Sequence, residues 1–261
     1  MAALASYLDA RARGGEWLVR MEDIDIPRTV PGAADAILQC LEACGLVWDG
    51  PVLYQTTRFD AYAAALAELR ARGAAYDCGC SRKEAGEGVY PGTCRAGLAP
   101  GRVPRSVRLR VPGGEVCFTD AIRGTQAEDV SAVTGDFPLL RADGIWAYQL
   151  AVVVDDAWQG ITHIVRGEDL LDSTPRQILL QRLLGFPTPA YAHIPVVLDA
   201  GGQKLSKQTL APPVDLARPT SALFGAFRFL GYEPPGDLMD RPPQDLLRWG
   251  VAAWRNLSYP D

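Results

Sequence analysis

Ile161-Thr162-His163-Ile164-Val165 is followed by Arg166-Gly167-Glu168-Asp169 and then by Thr174-Pro175-Arg176-Gln177. The first run is short, apolar and β-branched, so it reads as a strand. The last reads as a capping box with proline at the first helical position. Ile178, Leu179 and Leu183 continue that helix and Gly185 ends it. Strand, charged link and helix make one α/β unit. In open α/β sheets ligands bind beyond the carboxyl ends of the strands, where the link from Arg166 to Asp169 falls.

The same rhythm extends outward. Leu4, Tyr7 and Leu8 predict a helix that Gly14-Gly15 stops. Trp17-Leu18-Val19-Arg20-Met21 reads as a buried strand, and Glu22-Asp23-Ile24-Asp25 follows its end. Pro31 is expected to start a second helix, with Ala34, Ile37, Leu38 and Leu41 as its apolar stripe. Phe59, Tyr62, Leu66 and Leu69 mark a third, capped by Gly73. Asp143-Gly144 signals a hairpin between Phe137–Leu140 and Ile145–Tyr148, and Val152-Val153-Val154 is too short to class. Ile194 to Leu198 reads as the last strand. It feeds Asp199-Ala200-Gly201-Gly202-Gln203 and Lys204-Leu205-Ser206-Lys207-Gln208, a glycine-flexed loop suited to a polyphosphate. Paired prolines then separate two short helices, Ser221–Leu230 and Gln244–Trp254.

Residues 76–132 break the rhythm. Cys78, Cys80, Cys94 and Cys117 lie there among glycines and prolines, with one alternating strand from Val107 to Val111. We read an inserted subdomain between residues 1–75 and 133–200, two parts of one nucleotide-binding domain, with residues 201–261 as loop and helical C-terminal region. The fold expected is α/β, a doubly wound (Rossmann-like) parallel sheet.

Composition narrows the function class. Net charge is −5, which argues against a broad basic field but not against a local patch. Charged residues make up 22% and hydrophobic ones 48%, ordinary for a globular protein, and no apolar run approaches a membrane span. Six cysteines without an export leader lead us to expect the cytoplasm, where clustered thiols more often mean metal than disulfides. His163 and His193 fit no metal pattern and read as structural. Arg105, Arg108 and Arg110 read as a solvated strand face that could touch RNA phosphate.

Three segments in order, each at a strand end, resemble class I glutamyl-type aminoacyl-tRNA synthetases. They are Arg20-Met21-Glu22-Asp23-Ile24-Asp25, Arg166-Gly167-Glu168-Asp169-Leu170 with Ser173-Thr174-Pro175, and Lys204 to Gln208. Within that family the chain is similar to the short branch, the glutamyl-Q tRNA(Asp) synthetases. The wording of the lysine loop, the room for only about fifty residues after it and the cysteine insertion point there.

The resemblance implies ATP-dependent activation of L-glutamate and transfer to queuosine at the wobble position of tRNA(Asp). It implies Lys204 and Lys207 against the ATP phosphates with Mg²⁺. It implies Arg166 on the substrate side-chain carboxylate, Glu22 on its ammonium and Tyr148 beside them. It implies a structural zinc on Cys78, Cys80, Tyr90 and Cys94. Each residue has a plainer reading as well. Arg166 could pair with Glu168 or Asp169, Glu22 could be a solvated strand-end acid, Tyr148 a core aromatic, and the cysteines incidental thiols. Cys40, Cys44 and Cys117 read as core or incidental. A monomer is expected.

The family opens with a strand and a His-x-Gly-His-type loop that these 261 residues do not include. The expectation is that the chain as given activates glutamate barely. Rival readings are a glutamyl-tRNA synthetase cut short, a non-catalytic nucleotide- or RNA-binding relic, and a nucleotidylyltransferase with a similar sheet.

Overall fold

In a computed structural model, which describes residues 1–198 and 214–254, helices and strands alternate along the chain. Helix α1 (Ala2–Ala12) leads to strand β1 (Arg20–Met21), helix α2 (Ala33–Ala43), strand β2 (Leu53–Tyr54) and helix α3 (Phe59–Ala71). Strand β3 (Ala75–Cys78), the turn-length helix α4 (Arg82–Ala85), strands β4 (Ser106–Leu109), β5 (Glu115–Asp120) and β6 (Gly124–Asp129), the short helix α5 (Val130–Val133) and strand β7 (Pro138–Leu140) follow. Then come α6 (Tyr148–Gln159), β8 (His163–Gly167), α7 (Thr174–Leu184), β9 (Ala190–Ile194), α8 (Pro219–Phe229) and α9 (Pro243–Ala253).

The strands form three sheets among the described residues, not one parallel sheet. β1 and β2 pair in parallel, β3, β4 and β7 pair antiparallel, and the order β6-β5-β9-β8 mixes both senses. The expectation of a doubly wound parallel sheet is therefore corrected to a mixed α/β fold. The reason is visible in the hairpin β5–β6. Its antiparallel ladder is tied to β9 through the parallel partner pair Asp120 and Tyr191. A strand from residues 76–132 thus shares a sheet with β8 and β9.

Burial follows the two-residue period of β8 and β9. Val165, Ala192 and Ile194 pack with Leu4, Leu8, Phe227, Leu246 and Trp254 from α1, α8 and α9. On the other face Tyr191 packs with Tyr62, Leu150, Ile178 and Leu180 from α3, α6 and α7, and Ile164 lies against that cluster. Helices thus cover both faces. No helix among the described residues is long and apolar enough to cross a membrane.

Several local expectations shift. Trp17 to Met21 carries ladder pairing only at Arg20 and Met21, although the Trp17 and Val19 carbonyls accept from the Asp49 and Leu53 amides at 2.9 and 3.1 Å. Helix α2 begins at Ala33 after a left-handed Gly32, with Pro31 in the preceding turn. The valine run belongs to α6, a helix whose residues from Gln149 to Asp156 are all buried. The predicted strand Ile194–Leu198 lies earlier, at Ala190–Ile194, because the ladder with β8 starts at Ala190. The hairpin turn at Gly144 forms, but its second arm is a single bridge from Leu140 to Trp146 before Tyr148 enters α6.

The Thr174–Gln177 capping box does not form. Thr174 is already helical, and the Gln177 amide bonds Gln149 at 2.9 Å. A reciprocal box closes instead at Ser81 and Glu84, where neither residue has a buried partner to draw it away. The face at Arg108 and Arg110 is not solvated as expected. Arg108 bonds the Asp136 carbonyl at 2.7 Å and lies 4.0 Å over the Tyr90 ring, and Arg110 bonds the Arg95 carbonyl at 2.7 Å. Lys204, Lys207 and Gln208 lie outside the described residues.

Gly250 in α9 faces Phe227 of α8 so closely that an added Cβ would overlap the ring edge. Alanine in an open helix gains about 1 kcal/mol over glycine. Here overpacking, typically about 1–3 kcal/mol, should reverse the sign. Gly250→Ala is expected to lower the denaturant midpoint, and a raised midpoint would contradict the α8–α9 packing.

Candidate active site and cysteine cluster

A cleft of about 710 Å³ runs along the ends of β1 and β8 and the face of α6. Arg20, Glu22, Tyr148, Asp156 and Arg166 all line it. Three of these, Glu22, Tyr148 and Arg166, are the residues expected at a glutamate site; Glu22 follows β1, and the other two come from the consecutive elements α6 and β8.

Alternation along β1 turns Met21 inward and puts Arg20 and Glu22 on the cleft side. The Arg20 guanidinium holds Asp156 at 2.7 Å and the Gln159 amide oxygen at 2.7 Å, and approaches Glu22 at 3.7 Å. The Glu22 side chain is 42% exposed, but it opens into the cleft. Withdrawal from bulk water pushes its carboxyl above the ordinary range, Arg20 opposes the shift, and Asp156 adds to it. Burial pushes Asp156 up as well, against the pull of Arg20. Arg166 opposes both shifts as well, yet burial outweighs the two guanidiniums, so this end of the cleft favours a further positive charge.

Tyr148, Val152, Asp156 and Gln159 line the cleft from one stripe of α6, at helical spacing. Asp155, one residue from Asp156, points the other way. It is fully buried and accepts from Tyr62 Oη at 2.6 Å, Gln55 Nε2 at 3.0 Å and Arg58 Nε at 3.0 Å. The acidic pair is thus one structural carboxylate and one cleft carboxylate. Burial raises the Tyr148 phenol, with Glu22 adding to the shift, so the hydroxyl keeps its proton.

Arg166 is 8% exposed. One of its two plainer partners, Glu168, is taken elsewhere, by Arg123. Arg166 Nε donates to His193 Nε2 at 3.0 Å, and Nη2 donates to Thr174 Oγ1 at 2.8 Å. His193 Nδ1 meets Asp120 Oδ2 at 2.6 Å, with both side chains fully buried. The backbone at Gly167 lies close to its neighbours: a Cβ there would displace the Asp169 carboxylate and crowd Val196 at 3.3 Å. Sequence reasoning assigned no role to Arg20, Asp156 or Asp120 and read His193 as structural. The alternation of Arg20 with Glu22 was a usable signal. The partnership of Asp120 with His193 spans 73 residues and left none.

Cys78, Cys80 and Cys94 form a second cluster, their sulfurs within 4.8 Å of one another, all buried. Tyr90 Oη lies 3.3 Å from Cys78 Sγ and 3.4 Å from Cys80 Sγ, and Cys80 and Cys94 are 3.7 Å apart. A tetrahedral ion with metal–sulfur bonds of about 2.3 Å sets sulfurs about 3.8 Å apart. These spacings fit that polyhedron with Tyr90 as fourth donor. Cys40, Cys44 and Cys117 lie elsewhere in this fold: Cys44 is buried against the α1 cluster, and Cys117 is exposed on β5.

The chain matches the family model for tRNA synthetases class I (E and Q), catalytic domain, over residues 1–88 and 96–237. It is 53% identical over 268 residues to a glutamyl-Q tRNA(Asp) synthetase of Thiobacillus denitrificans, covering 100% of this chain and 89% of the relative. It is 52% identical over 263 residues to that of Pseudomonas aeruginosa, with the same coverage of 100% and 89%. Among solved structures it resembles a glutamate tRNA ligase from Elizabethkingia meningosepticum in complex with its amino acid, with TM-score 0.70 and 27% identity over 82% of this chain. The glutamate-tRNA synthetase of Elizabethkingia anophelis aligns with TM-score 0.69 and 27% identity over 79% of this chain. The chain spans about half of those two structures, 50% and 49%. Matched over nearly all its length by the family model and end to end by its relatives, this chain belongs to the class I tRNA synthetases (E and Q), a family of ligases.

Proposed function

We propose that this ligase activates L-glutamate with ATP and transfers it to queuosine at the wobble position of tRNA(Asp). The observation that carries the first half is one cleft lined by a buried guanidinium, a phenol and a carboxylate of raised proton affinity. Arg166 presents a planar fork to the substrate side-chain carboxylate. Glu22 receives the substrate ammonium, a cation that relieves the crowding of negative charge beside Asp156. Tyr148 stands between them as a neutral hydroxyl. The substrate α-carboxylate is then free to attack the α-phosphate of ATP, forming the acyl–phosphate bond as the bond to pyrophosphate breaks. The residues act by positioning and charge stabilisation. Lys204 and Lys207 are assigned to the ATP phosphates, with Mg²⁺ accompanying the nucleotide. The acceptor is supported by the names of the relatives in Thiobacillus denitrificans and Pseudomonas aeruginosa.

In this reading residues 76–132 carry the metal site between the two parts of the nucleotide-binding domain, residues 1–75 and 133–200, and also lend β5 and β6 to the sheet of β8 and β9. Cys78, Cys80, Tyr90 and Cys94 would hold a structural zinc, which supplies cross-linking rather than reactivity. The cluster has few apolar neighbours, Tyr76, Ala85 and Leu98, so little hydrophobic burial is available to close it.

ATP–pyrophosphate exchange with glutamate and with glutamine tests the activation step. Transfer of labelled glutamate to tRNA(Asp) with and without queuosine, and to tRNA(Glu), tests the acceptor. Exchange should require glutamate, and transfer should require queuosine. Transfer to tRNA(Glu) alone would reject the acceptor. Arg166→Leu should reduce kcat/KM for glutamate by about a hundredfold or more, as expected when a charged hydrogen-bond pair worth about 3 kcal/mol is lost.

Glu22→Gln should trade function for stability. A carboxyl whose native pKa is raised binds its proton more tightly when folded, so its charge destabilises the fold at neutral pH. The substitution should raise the melting temperature at pH 7 while weakening glutamate binding. The gain should be full above the raised native pKa and gone below the ordinary value of 4.5. A melting temperature lowered by the substitution at pH 7 would contradict this electrostatic reading.

Metal analysis should find one zinc per chain, and Cys94→Ser should release it. Structural zinc in small modules contributes about 10–16 kcal/mol of apparent binding energy, so chelation should lower the melting temperature markedly. A zinc-free chain that is fully folded would reject the metal site.

A further inference from the structure

We infer that Asp120 and His193 are positioning residues that set which edge of the Arg166 guanidinium receives the substrate, and so govern selection of a carboxylate over an amide. The inference rests on Arg166 as the receiver of the substrate side-chain carboxylate.

The argument begins with hydrogen-bond direction. Asp120 Oδ1 accepts three backbone amides, from Ile122 at 3.0 Å, Arg123 at 2.8 Å and His193 at 3.2 Å. Burial pushes the Asp120 carboxyl up, but bonds from His193 and these amides outweigh it and hold it below the ordinary range. Its Oδ2 is therefore a bare acceptor, and His193 Nδ1 at 2.6 Å must carry the proton. The far nitrogen, Nε2, faces the Arg166 Nε–H at 3.0 Å. A proton on Nε2 would set two donors against each other and two positive charges side by side in a buried site. His193 is thus a neutral ring locked in one tautomer, with its lone pair aimed at Arg166.

A guanidinium has one side edge, Nε with Nη2, and one end edge, Nη1 with Nη2. Here the side edge is taken: Nε by His193 and Nη2 by Thr174 Oγ1 at 2.8 Å, with the Leu170 carbonyl at a longer 3.4 Å from Nη2. Thr174 Oγ1 also lies 3.2 Å from His193 Nε2, so the three groups close on one another. The stacked Tyr191 and His193 rings, 6.1 Å apart and 14° from parallel, brace the imidazole. Arg166 Nη1 makes no hydrogen bond to another described residue. The end edge is what remains for a ligand in the cleft, and a carboxylate matches it with two parallel bonds. An amide offers one acceptor and one clashing donor, so selectivity depends on the fork not rotating.

The isosteric substitution Asp120→Asn tests this sharply. The three backbone donors hold the amide oxygen at the Oδ1 position, which places the NH₂ at Oδ2. That group donates to Nδ1, moves the ring proton to Nε2 and turns it against Arg166. His193→Leu removes the acceptor altogether, and His193→Gln can restore one through its side-chain oxygen.

Two measurements on the full chain decide it. In ¹⁵N-imidazole NMR, His193 should carry its proton on Nδ1, and Asp120→Asn should move it to Nε2. In ATP–pyrophosphate exchange, His193→Leu and Asp120→Asn should each raise the glutamate KM by about tenfold or more. The ATP KM should hold, the preference for glutamate over glutamine should shrink, and His193→Gln should recover most of both. Should His193→Leu fail to fold, Asp120→Asn carries the test. A proton on Nε2 in the unmutated chain overturns the inference. So do unchanged glutamate kinetics in Asp120→Asn alongside loss in Arg166→Leu. If Arg166→Leu itself leaves glutamate kinetics unchanged, the substrate reading of Arg166 is wrong and the inference falls with it.

Discussion

A guanidinium cannot be buried without giving its donors partners, and the centre of this molecule is arranged around meeting that demand for Arg166. Its acceptors come from β9 and α7, and the carboxylate that orients them ends β5. Leaving a buried charge unpaired would cost about 3–5 kcal/mol. Strands β5, β8 and β9 and the start of α7 must therefore meet at one point. The sheet order β5-β9-β8 does this. The same junction opens onto the cleft, so the element that secures the fold also places a guanidinium in the cleft lining.

A second polar centre works without reaching the cleft. Asp155 gathers Tyr62, Gln55 and Arg58 and locks α3 to α6. That fixes the rotation of α6 and so decides that Tyr148 and Asp156 share the cleft-facing stripe. Burial drives the Tyr62 phenol well up, with the Asp155 bond adding to it, so this hydrogen bond is made by a neutral hydroxyl at any pH where the protein folds. The two adjacent aspartates thus divide the labour, one to hold the helix and one to shape the cleft electrostatics.

At the cleft the electrostatics are deliberately unsettled in comparison. Arg20 satisfies Asp156 closely but Glu22 only at 3.7 Å. A carboxylate short of a counter-ion is a liability in the empty fold, and in the proposed reading it becomes an asset when the substrate ammonium arrives. The cysteine cluster follows a related logic at a distance from the cleft. Donors that repel one another as anions are held together by the backbone amide of Cys94, the Arg108 face on Tyr90 and the Arg102 guanidinium beside Cys80.

Much of this was legible in the amino-acid order. Helices α1, α3, α8 and α9 followed from 3.6-residue periodicity and their glycine or proline punctuation. Glu22 and Arg166 stood at strand ends, where an α/β fold gathers its ligands, and the cysteines stood close together, whereas Tyr148 and Tyr90 were singled out only by the resemblance to glutamyl-type synthetases. Local order could not decide how far each strand ran or in which sense it paired, because ladder partners such as Asp120 and Tyr191 lie 71 residues apart (191 − 120). It could not separate Asp155 from Asp156, since only the packing of α3 tells the two faces of α6 apart. It read Thr174 and Gln177 as a cap, whereas buried partners draw one to Arg166 and the other to Gln149. Chemistry carried by single residues was thus set by sequence. Direction, tautomer and the division of roles among like residues were set by tertiary contacts, because hydrogen bonds in a dry interior have one geometry that satisfies every donor.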